Sequence, residues 1–436
     1  MEQTKDQNQT EISTPSAPEI NKPGPDDTSK KSSFKNLPKN VWAVSITSFL
    51  MDISSEMVIN VLPLFLSNVL GVKTNIIGLI EGIAEATSSL LKVFSGWLSD
   101  KLGSRKWLAV LGYGLSALSK PFFYFANSWR FIAAIRWTDR VGKGVRTAPR
   151  DALVADTVQP DQRGMAFGLH RAADTAGAML GILIAALLVW RLQATDTSFQ
   201  QKTFQTIVLV SIIPAFLAVL ALAIGAKETK KGNARELPKI TFKGLGKNFL
   251  IFLVIVGIFD LGNSSDAFLV LRAQERGMSV LHILLMLAAF NLIYALISTP
   301  AGVLSDKIGR KKLIVTGWVV YALIYLGFAL AKTAIHVGLL YTAYGFYYGL
   351  TYGTAKAMVG DLIPEQLRGT AYGTYNAILG ILDFPASLIA GLLWSGVGSW
   401  AGFGPSAPFF FGAAMALIAS IFLLFWKPEQ AQSAEI

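Results

Sequence analysis

The chain has 436 residues, with 39 basic and 28 acidic side chains giving a formal charge of +11. Apolar residues make up 52% and charged residues only 15%, against about 25% charge in soluble domains, which excludes a water-soluble globular protein. The complete lack of cysteine excludes disulfides, thiolate metal sites and cysteine nucleophiles.

Residues 1–38 hold five Lys, six acidic residues and no apolar run, so they read as a disordered cytoplasmic tail and not as a signal peptide. Hydrophobic stretches follow near 41–70, 75–98, 107–126, 130–150, 163–190 and 204–225. A polar, basic segment covers 227–248, then six more stretches lie near 249–271, 280–302, 313–331, 335–359, 370–394 and 406–426. Residues 427–436 form a short cytoplasmic tail. A helix of about 20 apolar residues crosses a bilayer. The layout therefore predicts an all-α membrane protein of twelve transmembrane helices, with six-helix bundles at 39–226 and 249–426 joined by the 227–248 linker.

Basic residues in short loops set the orientation. Lys101, Arg105, Lys106, the seven Lys and Arg of 227–247, Lys307, Arg310, Lys311, Lys312, Arg368 and Lys427 fall on one side. The alternate loops are poorer, with Lys73, Arg130, Arg191, Lys202, Arg272, Arg276 and Lys332. Both termini are thus expected in the cytoplasm. The positive excess reflects topology and contact with anionic lipid, and nucleic acid is not expected as a partner.

The two halves repeat each other at an offset of about 205 residues. Gly96-Trp-Leu-Ser-Asp100-Lys-Leu-Gly103-Ser-Arg105-Lys106 matches Gly302-Val-Leu-Ser-Asp306-Lys-Ile-Gly309-Arg310-Lys311-Lys312. Asp156, followed by Arg163-Gly164, matches Asp361, followed by Arg368-Gly369, and Asp52 in span one pairs with Asp260 in span seven. This signature between spans two and three, repeated between eight and nine, resembles the major facilitator superfamily over the whole chain beyond residue 38. The subgroup resembled is bacterial, with Asp-x-Ser-Ser-Glu in span one and Arg-x-x-x-Arg-x-x-x-Gly in span four. The resemblance implies two pseudo-symmetric bundles with a substrate path between them. It implies that Asp100 meets the N-terminus of span eleven near Gly369, and Asp306 that of span five near Arg163, as an acid at a helix N-terminus can. Arg105, Arg310 and their neighbours would complete a cytoplasmic gate. Simple positive-inside loop charge would explain the basic residues but neither the Asp nor the Gly.

Ionisable residues inside spans are costly and mark function by default. Span one offers Asp52 and Glu56 on one helical face, and span two repeats that spacing with Glu81 and Glu85, then adds Lys92. Span four carries Arg136, Arg140, Lys143, Arg146 and Arg150 as a basic stripe, and span five carries His170, Arg171 and Asp174. These side chains bind substrate, handle protons, or form a static ion-pair framework. A carboxylate that loses a basic partner in an apolar cavity can take up a proton, and His170 titrates near neutrality or serves as a hydrogen-bonded strut.

In the second half the stripe positions hold Tyr341, Gly345, Tyr348, Thr351 and Ala355, with Tyr344, Tyr347 and Tyr352 between them, and the deep charges are Asp260, Asp266, Lys356 and Asp383. One charged wall and one aromatic wall suit an amphipathic or organic-anion ligand, although the tyrosines also fit packing and an interfacial belt. His282 and Met286, one turn apart, read as core packing, and no metal site is expected. No P-loop, HExxH or nucleophile elbow is present, so neither an enzyme nor an ATPase subunit is expected, and no cofactor. Span five reads Gly177-Ala-Met-Leu-Gly181-Ile182, which lacks the proline that many antiporters of the resembled family carry there.

The sequence reading is a secondary active, proton-coupled carrier of a small organic solute in the bacterial inner membrane, working as a monomer. Export of an amphipathic or chelator-like compound is favoured. Uptake of an organic anion, a ligand-sensing receptor and a lipid-handling protein are the alternatives.

Overall fold

The computed structural model describes residues 37–159, 162–193, 196–228, 245–364 and 367–427. The expected tails and most of the 227–248 linker lie outside these residues. Twelve long helices run through the described chain: α1 Lys39–Ile59, α2 Thr74–Leu102, α3 Lys106–Ser119, α4 Trp129–Thr157, α5 Arg163–Gln193, α6 Gln201–Gly225, α7 Lys247–Leu261, α8 Val280–Ile308, α9 Arg310–Leu330, α10 Ala334–Leu362, α11 Arg368–Ser395 and α12 Ala407–Phe425. Seven helical spans are long and apolar enough to cross a membrane by length and composition alone. The fold is all-α, and the chain is an integral, multi-pass membrane protein.

Local chemistry sets several helix ends. Ser128 accepts the Phe131 N–H at the start of α4, and Ser279 accepts the His282 N–H at the start of α8. The Ser279 hydroxyl also lies 2.6 Å from His282 Nδ1, so this histidine is occupied at a helix start. Gly103 ends α2 with φ 61°, a left-handed conformation that glycine adopts without a Cβ clash. At α3 the Glu228 carboxylate accepts the Arg105 and Lys106 N–H groups, a negative charge on a helix N-terminus.

Three spans depart from the continuous helices that hydropathy predicts. Span one breaks after Ile59 at Pro63 and continues through Leu62–Leu64 and a π-helical turn at Phe65–Val69. Span three tightens into a 3₁₀ turn at Lys120–Phe125, where Pro121 cannot continue the α-helical ladder. Span seven stops at Leu261 and resumes as a short helix at Ala267–Glu275. Between them Gly262-Asn263-Ser264-Ser265 offers backbone freedom and side chains that compete for backbone hydrogen bonds. Arg272, expected in a loop, sits on that short helix and is 0% exposed. It donates to the carbonyls of Phe328 and Ala329 and to Ser406 Oγ, capping the last turn of α9.

In the first half, α1 packs on α5 and α6, and α4 on α2 and α3. In the second, α8 packs on α10, α9 on α10 and α12, and α7 on α11 and α12. Between the halves, α2 crosses α11 and α5 meets α8. The α2–α11 crossing is backbone against backbone: a Cβ on Gly78 would lie 2.3 Å from the Ser387 carbonyl oxygen, and one on Gly391 2.7 Å from Asn75 Cα.

Hydrogen bonds joining the halves gather at the end near residues 68–75. Asn75 Nδ2 donates to the Gly396 carbonyl, Gln274 Nε2 to the Thr197 carbonyl, and the Val280 N–H to the Asp196 carbonyl. Near the opposite end, Gly302, Gly353 and Gly373 face open space.

Candidate functional site

Each half carries the same ion triad at the end opposite the α2–α11 closure. Arg105 binds Asp100 and Asp156, and Arg310 binds Asp306 and Asp361. The motif arginine thereby ties the end of one helix to the end of the helix two further on. Asp100 pairs with Arg105, and Asp306 pairs with Arg310. The expectation for the Gly164, Arg368 and Gly369 side chains lies outside the described residues. Gly96 approaches the Ala148 side chain, whereas Gly309, with φ 94°, turns the chain between α8 and α9. Lys106 lies over the Trp107 ring, and Lys311 Nζ donates to the Leu424 and Trp426 carbonyls at the C-terminus of α12.

Between the halves lies a cavity of about 380 Å³. From the first half it is lined by Glu56, Asn60, Glu81, Glu85, Arg136 and Arg140, and from the second by Asn263, Asp266, Phe290, Asn291, Tyr341, Tyr348 and Asp383. A side branch of about 240 Å³ reaches Lys92, Asp260, Tyr352 and Lys356. A further branch reaches Arg171 and Tyr294, where Arg171 Nη2 donates to the Tyr294 hydroxyl at 3.1 Å and links α5 to α8.

The basic stripe of α4 does not face the cavity as free charge. Arg136, 1% exposed, donates through Nη2 and Nε to both Glu81 oxygens, at 2.7 and 3.3 Å. It also lies 3.6 Å from Glu85 and 3.7 Å from Asp139. Arg140 pairs with Glu85 at 3.1 Å. Behind them Lys120 pairs with Asp139 at 3.6 Å, both nearly inaccessible, and donates to Ser55 Oγ at 3.3 Å. A charge in a membrane interior persists only when paired or hydrogen-bonded, and this network meets that condition across α1, α2, α3 and α4. Sequence inspection missed Lys120 and Asp139. Lys120 falls at the end of a hydrophobic stretch, and Asp139 falls off the spacing of the basic stripe; pairing between spans is what gives them meaning.

The remaining candidates separate into distinct places. Glu56 lines the cavity and its carboxylate accepts from Asn60 Nδ2 at 2.9 Å. Asp52, one turn earlier on α1, and Lys143 form no ion pair among the described residues. His170 Nε2 lies 2.9 Å from Ser48 Oγ, itself 2.9 Å from the Tyr113 hydroxyl, and His170 Nδ1 lies 3.6 Å from Asp174. Arg150 donates to the same Ser48, and Arg146 stacks over Tyr113. His170 is therefore tied into a hydrogen-bonded strut away from the cavity lining.

The aromatic wall is two layers deep. Tyr341 and Tyr348 line the cavity, while Tyr344 lies fully buried behind them and donates to Asn263 Oδ1 at 3.2 Å. Tyr321, Tyr325 and Tyr347 with Phe259 and Trp318 complete the packing. Tyr344 therefore shapes the break in span seven and leaves the lining to its neighbours.

The family model described as Major Facilitator Superfamily matches residues 44–387 and 260–436. An uncharacterized MFS-type transporter of Methanocaldococcus jannaschii is 37% identical over 90% of this chain and 96% of that protein. A multi-drug resistance efflux pump PmrA homolog of Lactococcus lactis is 24% identical over 82% of this chain and 90% of the relative. The solved nucleoside transporter NupG superposes with a TM-score of 0.71 at 13% identity, covering 89% of this chain and all of that one. A likeness at that identity speaks for the fold alone.

Proposed function

The chain belongs to the major facilitator superfamily, and on that premise we propose that it is a proton-coupled carrier exporting an amphipathic solute with a cationic or proton-donating group. The observation that carries this reading is the charge of the cavity lining: five carboxylates against two guanidinium groups. Both arginines are engaged by Glu81 and Glu85, which leaves Glu56, Asp266 and Asp383 without a basic partner within ion-pair distance among the described residues. Such a lining favours a cation over an anion, so uptake of an organic anion is the weaker reading. Tyr341, Tyr348 and Phe290 offer the apolar face and attract a cation over their rings. The efflux pump relative supports the outward direction. By the charge of its loops the end that carries the two ion triads faces the cytoplasm of the bacterial inner membrane, so solute enters from inside and leaves once the α2–α11 closure opens.

Coupling falls to Glu56 before Glu81. Arg136 already engages both Glu81 oxygens, whereas Glu56 has no cation within ion-pair distance among the described residues. The test is a thermal-shift screen of amphipathic cations and neutral drugs against the purified protein, followed by counterflow in liposomes. Glu56→Gln should abolish accumulation driven by a proton gradient and leave exchange intact. Normal uphill transport by Glu56→Gln, or binding confined to organic anions, would overturn the reading.

A further inference from the structure

The break in span seven leaves a buried group that the ion-pair network does not use. Asp260 sits at the end of α7, is 7% exposed, and its Oδ2 has no hydrogen-bond partner among the described residues. It lines the side branch of the cavity together with Asn263 and Asp383. An ionised Oδ2 there needs a positive or donating partner. Protonation removes the buried charge but gives Oδ2 no hydrogen-bond partner among the described residues. A bound cation satisfies it directly.

Two features beside Asp260 favour a positive ligand. The C-terminus of α7 points its partial negative charge at the same place. Asn263 holds its amide in the branch, its Oδ1 accepting from the Tyr344 hydroxyl with a second lone pair left over. Lys92 and Lys356 also line the branch, and neither lies within ion-pair distance of Asp260 or Asp383 among the described residues. Lys356 instead donates to the Tyr352 hydroxyl at 3.1 Å. No group of three His, Cys, Asp or Glu side chains that could hold a metal occurs among the described residues. Two carboxylates and an amide oxygen fall short of the six to eight ligands Ca²⁺ takes. The broken end of α7 beside them resembles the half-helix C-termini that hold Na⁺ in broken-helix carriers of other folds.

We propose that Asp260, Asn263 and Asp383 form a site for a small monovalent inorganic cation of the size of Na⁺, separate from Glu56. Its occupancy ties α7 to α11, because Asp383 precedes Phe384, whose backbone abuts Gly82 of α2. The cation thereby bears on the same crossing that closes one end of the protein.

The test uses the purified full-length protein in detergent at pH 8 and constant ionic strength. Melting temperature is followed as choline chloride is replaced by NaCl, LiCl or KCl. The expected result is a saturable rise of several degrees with Na⁺ or Li⁺. Asp260→Asn, which keeps the shape and removes the charge, should abolish the rise, as should Asp383→Asn. Wild-type protein that melts alike in all four salts, or responds to pH alone, would overturn the proposal, and so would an undiminished Na⁺ shift in both variants. The wild-type titration decides even where a variant does not fold. Because the readout is binding and not transport, it stands or falls independently of the export reading.

Discussion

Removing Asp139 should be among the most damaging single changes in the first half. Lys120 is 1% exposed, and Asp139 is its one carboxylate within ion-pair distance among the described residues, at 3.6 Å; the other polar contact is Ser55 Oγ at 3.3 Å. Asp139→Asn keeps the side-chain shape but leaves a buried ammonium without a counter-charge, which costs about 3–5 kcal/mol. Lys120→Met is milder, about 2 kcal/mol, because Asp139 keeps Arg136 Nη1 at 3.7 Å. The double variant removes both charges while Arg136 keeps Glu81 at 2.7 Å, and should come within about 1 kcal/mol of the wild type. The cycle then yields a coupling of about 4 to 6 kcal/mol, read by SDS unfolding of the protein in mixed micelles with tryptophan fluorescence. Additive single effects, or an Asp139→Asn protein as stable as the wild type, would refute the claim that the pair acts as a unit.

Arg140→Ala should lower stability by only about 1–2 kcal/mol, because Glu85 keeps Arg136 at 3.6 Å, and adding Glu85→Ala should restore most of it while solute binding persists in a thermal-shift assay. Arg272→Lys should fail to rescue the loss in Arg272→Met, about 3 kcal/mol, because an ammonium cannot span the Phe328 and Ala329 carbonyls and Ser406 together, and melting temperatures of the two variants decide it. Gly78→Ala should force the α2–α11 crossing apart, since its Cβ would meet the Ser387 carbonyl at 2.3 Å. A cysteine introduced at Ser264 should then label faster from the closed end, in a chain that holds no other thiol.

The helical plan and the repeat were legible because each rests on local sequence. The matched motifs put Arg105 with Asp100 and Asp156, and Arg310 with Asp306 and Asp361, in the same places of the two halves. Glu81, Glu85, Arg136 and Arg140 were also legible as a group, since charges at i, i+4 in an apolar stretch have to face inward. Their roles were not. Only the packing of α2 against α4 shows that Glu81 and Glu85 take up both guanidinium groups and turn a basic stripe into an acidic cavity. Arg272 read as a loop residue because a hydropathy window cannot tell a snorkelling side chain from a helix cap. The break at Gly262 was hidden because apolar residues flank it on both sides. Tyr341, Tyr344 and Tyr348 carry the same chemistry in sequence, and only the tertiary arrangement divides the lining pair from the one behind.

The α2–α11 crossing has a consequence for how finely this carrier can be set. At Gly78, Gly82 and Gly391 the seam sets glycine against the backbones of Ser387, Phe384 and Asn75, and a glycine adds no side-chain hydrocarbon to what parting the seam exposes. The resting balance between conformers is then decided by a few polar clasps such as Asn75 to Gly396. One clasp of about 1.4 kcal/mol moves a two-state population tenfold. Point substitutions along this seam, or a small molecule lodged in it, can retune the resting state while leaving the cavity and its chemistry untouched.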